Sequence, residues 1–343
     1  MLVTVGVDTH ADTHVAAALD QAGRPLGTRT ISTTPGGYAA LLAWASTLGR
    51  VDRVGVEGTG SYGAGLARWL RAHAPAGHRG GPARPRARGG AGARLTTSTP
   101  TRPARAVQAG TATGQPKAGD GTVEMIRSLR LARRSAVKAR TQAANQLKAL
   151  LVTAPDVLRA QLRCLPPADL VTTAARLRAA TKPATPTDAA KLALRSIARR
   201  WRQLTQEITA LDTQLERLVA MAAPALVAVK GVGTETAAVL LVAAGDNPER
   251  LRSEAAFAHL CGVAPIPASS GKTTRHRLNR GGNREANWAL YLIAVGRMAW
   301  HRPTRVYVQR RTKEGKTTAE IIRCLKRYIA RELYGILVSR PAA

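Results

Sequence analysis

The first seventy-odd residues constrain the chain most, because short apolar segments follow one another there in an order that few folds accept. Residues 2–7 and 14–19 are apolar runs separated by a polar turn, and residues 24–32 supply a third behind Ala22-Gly23. Pro35-Gly36-Gly37 then opens an amphipathic helix with Tyr38, Leu41, Leu42, Ala45 and Leu48 on one face. Residues 51–57 read as a fourth strand and 61–74 as a second helix. Three strands, then helix, strand and helix, predict an α/β domain.

That order is also how a ribonuclease-H-like sheet begins. Beyond it the character changes. Residues 75–105 carry seven arginines, many glycines and prolines and no acid, which on composition alone reads as a disordered basic loop. A long basic helix follows over 122–151, with Val123, Ile126, Leu129 and Ala132 at helical spacing, and residues 155–186 read as shorter helices and turns. Leu194, Ile197, Trp201, Leu204, Ile208, Leu211, Leu215 and Leu218 then alternate in steps of three and four. Such a heptad seam needs a partner, either the 122–151 helix folded back antiparallel or a second subunit. The last third is helical: a hairpin over 226–244 turning at Gly231-Val-Gly233, a short helix at 253–260, a Gly/Ser/Arg loop, and helices at 284–300 and 318–337. The expected architecture is therefore α/β plus α. An N-terminal sheet domain spans 1–121 with 75–105 aberrant, a basic helix and antiparallel coiled coil span 122–222, and a mainly helical domain with a helix-hairpin-helix-like element spans 223–343.

Charge narrows the partners. Fifty-two Lys and Arg face 21 Asp and Glu, a formal net charge of +31 in 343 residues. A GC-rich coding bias exchanges Lys for Arg but does not remove acids, so the excess points to a polyanion, nucleic acid first. The 45% hydrophobic content is enough for real cores. No apolar run reaches the roughly 18–20 residues of a membrane helix, and residues 237–244 and 288–295 have the length of core helices. The N-terminus lacks a basic signal-peptide segment and cleavage site. Cys164, Cys261 and Cys324 have no paired spacing for zinc or a disulfide framework. These features predict a soluble chain of the reducing cytoplasm.

Two acids close apolar strands: Asp8 in Gly6-Val7-Asp8-Thr9-His10 and Glu57 in Gly55-Val56-Glu57-Gly58. Carboxylates at one sheet end supply the oxygen ligands that divalent ions need to align a phosphate, although acids at strand ends also serve as caps and turn residues. His10 and His14 read as surface or packing residues. Backbone N–H groups at Gly231 and Gly233 suit a phosphate contact without base readout; a hairpin with no ligand is the equal alternative. The segment Ser269-Ser270-Gly271-Lys272 through Arg275, Arg277, Arg280, Asn283 and Arg284 joins an exposed hydroxyl to a cluster of cations. It suits phosphoryl transfer from serine or, with no covalent role, a grip on phosphate.

Together these segments resemble the insertion-sequence transposases of the IS one-ten (IS110) family. Gly6-Val-Asp8-Thr-His10 with Val56-Glu57-Gly58-Thr-Gly60-Ser-Tyr62 resembles the family's N-terminal DEDD, RuvC-like domain. Val229-Lys-Gly231-Val-Gly233, Cys261-Gly262-Val-Ala-Pro265, Ser270-Gly271-Lys272 and Arg280-Gly281-Gly282-Asn283 resemble its C-terminal transposase domain. The resemblance implies a site-specific DNA recombinase guided by a structured bridge RNA. It implies Mg2+ held by four acids, of which Asp8 is the first and Glu57 the second. It also implies a covalent phosphoserine link to DNA through Ser270, with Ser269 the alternative if the loop register shifts by one, and homo-oligomers joined through the coiled coil.

The chain departs from that pattern at one place. The family's last two acids form an Asp-x-x-Asp pair shortly before the position of Ala106, where this chain reads Thr99-Pro100-Thr101-Arg102-Pro103-Ala104-Arg105. No Asp or Glu occurs between Gly58 and Gly119, and Asp120 and Glu124 lie past the motif. Flanking resemblance around a stretch of aberrant composition predicts that 75–105 is translated out of frame, with the frame restored near Pro103. The gene's nucleotides read in the other frames test this directly: an Asp-x-x-Asp pair before Ala106 is expected.

Overall fold

Short polar turns leave β1 (Leu2–Thr9), β2 (Thr13–Leu19) and β3 (Pro25–Ser32) no choice but to pair antiparallel, with Val7 opposite Ala16 and Ala17 opposite Thr28. Helix α1 (Pro35–Thr47) then carries the chain back across the sheet, so β4 (Arg50–Val56) lies parallel to β1, Val7 beside Val56. The strand order is β3-β2-β1-β4. The computed structural model describes residues 1–73, 100–112, 114–269 and 275–339, so most of the aberrant stretch lies outside the described residues.

Side chains alternate across the sheet, and the two faces receive different helices. Val3, Val5, Val7, Val54 and Val56 point into a core with Leu41 and Ala45 of α1 and Leu66 and Leu70 of α2 (Ala64–His73). On the opposite face, Gly6 and Gly55 leave a bare strip that α3 (Thr101–Gln108) fills. A Cβ on Gly6 would sit 2.3 Å from the Ala104 nitrogen, and one on Gly55 would sit 2.8 Å from the Pro103 carbonyl oxygen. The backbone approach is thus closer than any side chain permits. Ala104 and Val107 are buried against the strip, and Pro103 is tolerated because it stands in the helix's first turn.

His14 on β2 is fully buried and stacks on Tyr38 with ring centroids 6.0 Å apart. Burial pushes its pKa below the ordinary 6.5. The unfolded chain therefore takes up a proton that the folded chain refuses, and stability falls as pH drops below about 6.5, by at most about 1.4 kcal/mol per pH unit. Urea midpoints measured from pH 7.5 to 5 should fall accordingly, and His14→Phe should flatten that part of the profile.

The chain forms two compact units, Met1–Glu124 with Ala222–Ala343, and Met125–Met221. In the first, α8 (Pro224–Val227) and α9 (Thr234–Ala244) precede α10 (Glu254–Leu260), the two-residue strands β5 (Ile266–Pro267) and β6 (His276–Arg277), and helices α11 (Arg284–Trp300), α12 (Arg302–Lys313) and α13 (Thr318–Ser339). Helix α9 is buried almost throughout, and α11 packs on both α9 and α13. The segment before Thr122 is stitched to this layer. Asn247 accepts from the Ala118 amide at 2.9 Å and donates to the Pro116 carbonyl at 3.0 Å, while buried Asp246 accepts from the Val123 amide at 2.7 Å. Asn247→Ala orphans a donor and an acceptor in a buried setting, and chemical denaturation should show a loss of about 2 kcal/mol.

The second unit rests on α4 (Thr122–Val152) and α7 (Pro186–Ala222). Their contacts pair rising with falling numbers: Arg133 with Asp212, the Arg140 guanidinium 5.7 Å from the Trp201 ring centroid, Gln146 with Arg200. The helices are therefore antiparallel. Leu147 and Leu151 meet Leu194 and Ala198 in a core shared with α5 (Asp156–Leu162) and α6 (Pro167–Ala175). Ala132, which spacing placed on the apolar face of α4, is exposed. The buried stripe passes instead through Ala136 and Ala143, flanked by the stems of Arg133 and Arg140.

Candidate functional site

Asp8 and Glu57 stand at the carboxyl ends of two adjacent parallel strands. Because β1 and β4 run in register through Val7 and Val56, the next residues of each are neighbours, with strand axes about 4.8 Å apart. The alternation that turns Gly6 and Gly55 toward α3 turns Asp8 and Glu57 toward the same face. The Glu57 amide donates to the Val7 carbonyl at 3.0 Å, and the Thr9 hydroxyl donates to the Glu57 carbonyl at 3.0 Å, so the β1 and β4 ends are tied together. Gly58, at φ +60, turns the chain out of β4. Asp8 is nearly buried, its side chain 12% exposed, and the exposed His10 ring lies 3.5 Å from its carboxylate. His10 and His14 thus take the surface and packing places.

Helix α3 runs past this pair. The Pro100 carbonyl and Ala104 lie over Gly6, and the Gln108 amide donates to the Asp20 carbonyl at 2.7 Å, near the amino end of β1. The N-terminus of α3 therefore faces the strand ends that carry Asp8 and Glu57. Arg102 and Arg105 are exposed on it. Where the resemblance expects two further acids, the helix offers two cations. Among the described residues, no group of three His, Cys, Asp or Glu side chains is close enough to hold a metal ion. Two carboxylates match one Mg2+ completed by water and phosphate oxygens; they do not match a pair of ions.

The two ends of the serine loop are described, and they pair as a short two-stranded ladder. Ile266 pairs with Arg277 and Pro267 with His276. Ser269 closes the neck: its hydroxyl accepts from the Arg275 amide at 3.2 Å. Ser270, Gly271 and Lys272 lie outside the described residues. Arg275, Arg277, Arg280 and Arg284 are all exposed. Asn283 has a different task, since its side-chain oxygen caps α11 by accepting from the Glu285 and Ala286 amides, each at 3.0 Å.

Three further residues, passed over by the motif reading, hold the hairpin. Asn279 donates to the His259 carbonyl at 3.2 Å, and Asn287 donates to the Cys261 and Gly262 carbonyls at 3.0 and 3.1 Å. Half-buried Lys326 donates to the Asn287 side-chain oxygen at 2.8 Å, and burial lowers its pKa. Gly282 passes so close to Gly262 that a Cβ would lie 2.2 Å from the Gly262 nitrogen. The hydrogen bonds that anchor the loop go to α10, its C-terminal turn and α11.

The Gly231-Val-Gly233 turn is shorter than a two-helix reading suggests, because α8 has only four residues. Gly231 takes φ +85, which favours glycine. The Gly233 amide donates to the Thr236 hydroxyl at 3.0 Å, capping α9. Behind the turn, Arg297 donates to the Lys230 carbonyl at 2.8 Å and is bidentate to Glu332 at 2.7 and 3.0 Å.

Comparison with known proteins joins these two halves. Residues 5–76 match a transposase family of the DEDD type found in IS110, and residues 223–309 match the family described as transposase IS116/IS110/IS902. Both matches are to transposases of the IS110 type. It is also 34% identical over 131 residues to the uncharacterized 43.6 kDa protein of insertion element IS110 from Streptomyces coelicolor, a match covering 37% of this chain and 32% of that protein. The chain thus spans about a third of the relative's length. The two family matches enclose Asp8 and Glu57 in one, and Gly231, the ends of the serine loop and α11 in the other. Among the described residues, no helix is long and apolar enough to cross a membrane.

Proposed function

We propose that this chain is a DNA transposase of an insertion sequence, a site-specific recombinase whose strand cleavage uses Ser270 as nucleophile. The observation that carries the reading is the pairing of two domains of one transposase family in a single chain: a sheet that turns Asp8 and Glu57 to one face, and an arginine-ringed hairpin anchored on α10 and α11. In the cleavage step the Ser270 oxygen attacks a backbone phosphorus and loses its proton to solvent. A phosphoserine bond forms, one phosphorus–oxygen bond of the DNA breaks, and the departing deoxyribose hydroxyl takes up a proton. Arg275, Arg277 and Arg280 neutralise the charge gathering on the phosphate, and attack by the freed hydroxyl of another strand reverses the step to rejoin DNA.

Asp8 and Glu57, on a ribonuclease-H-like (RuvC-like) sheet, are the residues that would hold Mg2+. When bound, the ion supplies Lewis-acid stabilisation of phosphate oxygens. With Arg102 and Arg105 in the place of the remaining acids, binding of the ion is weak and cleavage slow. Ser269 is a poor alternative nucleophile because its hydroxyl is engaged with the Arg275 backbone. The excess of positive charge supports a second polyanion, a structured guide RNA. The half-buried Trp201, Leu204 and Leu211 of α7 support assembly of a homo-oligomer through a coiled coil. Such a chain works in the cytoplasm, at the nucleoid.

The two cations on α3 favour a second reading, a transposase remnant or regulator that binds nucleic acid without cutting it. A magnesium-dependent strand-transfer assay with the purified chain and DNA of its element ends separates the two. A low but measurable yield of covalent DNA–protein adduct supports the enzyme, whereas tight DNA binding with no adduct at any magnesium concentration supports the remnant.

A further inference from the structure

Helix α11 was expected to be a core element, and only one side of it is. Ala286, Ala289, Leu290, Ile293, Ala294 and Arg297 are buried. On the other side Trp288 is 46% exposed, Tyr291 43%, Leu292 38% and Val295 38%. At 100° per residue these four fall within an arc of about 100°, and Arg284 lies inside that arc. The stripe begins where the serine hairpin ends. Between residues 275 and 310 stand eight arginines and a single acid, Glu285. All of those arginines except Arg297, which is paired with Glu332, are exposed.

We infer that this face of α11 stacks unpaired nucleic-acid bases. A duplex presents phosphates outward and keeps the flat faces of its bases covered, so exposed indole and phenol rings gain nothing from it. A single strand offers a π-face at every base together with the phosphates that the neighbouring arginines attract. A second copy of this chain is a poor occupant, because it would bring a like-charged arginine field against this one. The face therefore takes single-stranded DNA, such as a strand opened at the cleavage point. It does so without reading sequence, since stacking tolerates every base. The inference rests on the nucleic-acid reading above and adds the strandedness of the substrate.

Fluorescence anisotropy of the full-length chain with a labelled oligothymidylate, and with a blunt duplex of the same phosphate count at the same salt, tests it. Trp288→Ala combined with Tyr291→Ala should weaken oligothymidylate binding by at least about tenfold and leave duplex binding unchanged. Trp288→Phe with Tyr291→Phe, which keeps the rings and guards against a folding defect, should retain most of the affinity. Equal loss on both nucleic acids, or loss on neither, overturns the inference. So does a change confined to self-association on size exclusion, or to binding of phosphatidylserine vesicles. If the unaltered chain binds neither oligothymidylate nor duplex, the proposed function itself fails, which the variants alone would not show.

Discussion

Ser270→Ala should abolish the covalent DNA–protein adduct and lower any strand cleavage by on the order of a thousandfold or more, while DNA affinity stays as it was. The reasoning is local. The described part of the hairpin is held by other residues: β5 and β6 pair, Ser269 ties the neck to Arg275, and Asn279, Gly282 and Asn287 anchor the base. Removing one hydroxyl beyond the neck disturbs none of those bonds, and the arginines that attract phosphate remain. A denaturing gel of labelled element-end DNA, scored for slow-migrating adduct, measures the first effect, and anisotropy at fixed salt measures the second. Loss of binding in parallel with cleavage would show that the hydroxyl grips rather than reacts. Ser269→Ala is the matching control; it should loosen the neck and reduce yield without abolishing the adduct.

Restoring the absent acids should act in the opposite direction. Arg102→Asp combined with Arg105→Asp exchanges two cations for two anions on the helix whose N-terminus faces Asp8 and Glu57. Both side chains are exposed, and an acid in the first turn of α3 suits the helix dipole, so the fold should tolerate the change. If the four carboxylates then hold magnesium together, the gain is several kcal/mol of transition-state stabilisation, on the order of a hundredfold or more in cleavage rate. Arg102→Gln with Arg105→Gln removes the repulsion without adding ligands and should recover only a small part. A cleavage rate plotted against magnesium concentration for the three proteins gives the answer.

The strands and long helices were legible because their patterns are local. Runs such as Val3, Val5 and Val7, or the three–four spacing from Leu194 to Leu218, declare one face without help from the rest of the chain. Helix α3 was not legible, since Pro103 and the Gly- and Pro-rich stretch before it argue against a helix, and its place is set by two glycines some fifty and a hundred residues upstream. Asn283 carried a signal that was outweighed: a cap residue just before a helix start, seen first as one more polar group in a basic loop. The length of 288–295 suggested burial, but length says nothing about which side of α11 is covered. That depends on α9 and α13, and they cover one side only. At the candidate site, Asp8 and Glu57 were legible from strand ends. Their shared face follows only from register and from the direction in which Gly6 and Gly55 point.

Seven of the arginines behind the +31 charge fall in 75–105, and two of these stand on α3. The central claim is that this chain is a serine transposase with half of its acidic site. Strand transfer measured across a magnesium titration, with the natural chain beside the Arg102→Asp, Arg105→Asp variant, tests it most directly. The account predicts slow transfer by the natural chain that does not saturate with magnesium, and fast, saturating transfer by the variant, both lost with Ser270→Ala. Equally fast, saturating transfer by the two proteins would contradict it, because two carboxylates would then suffice.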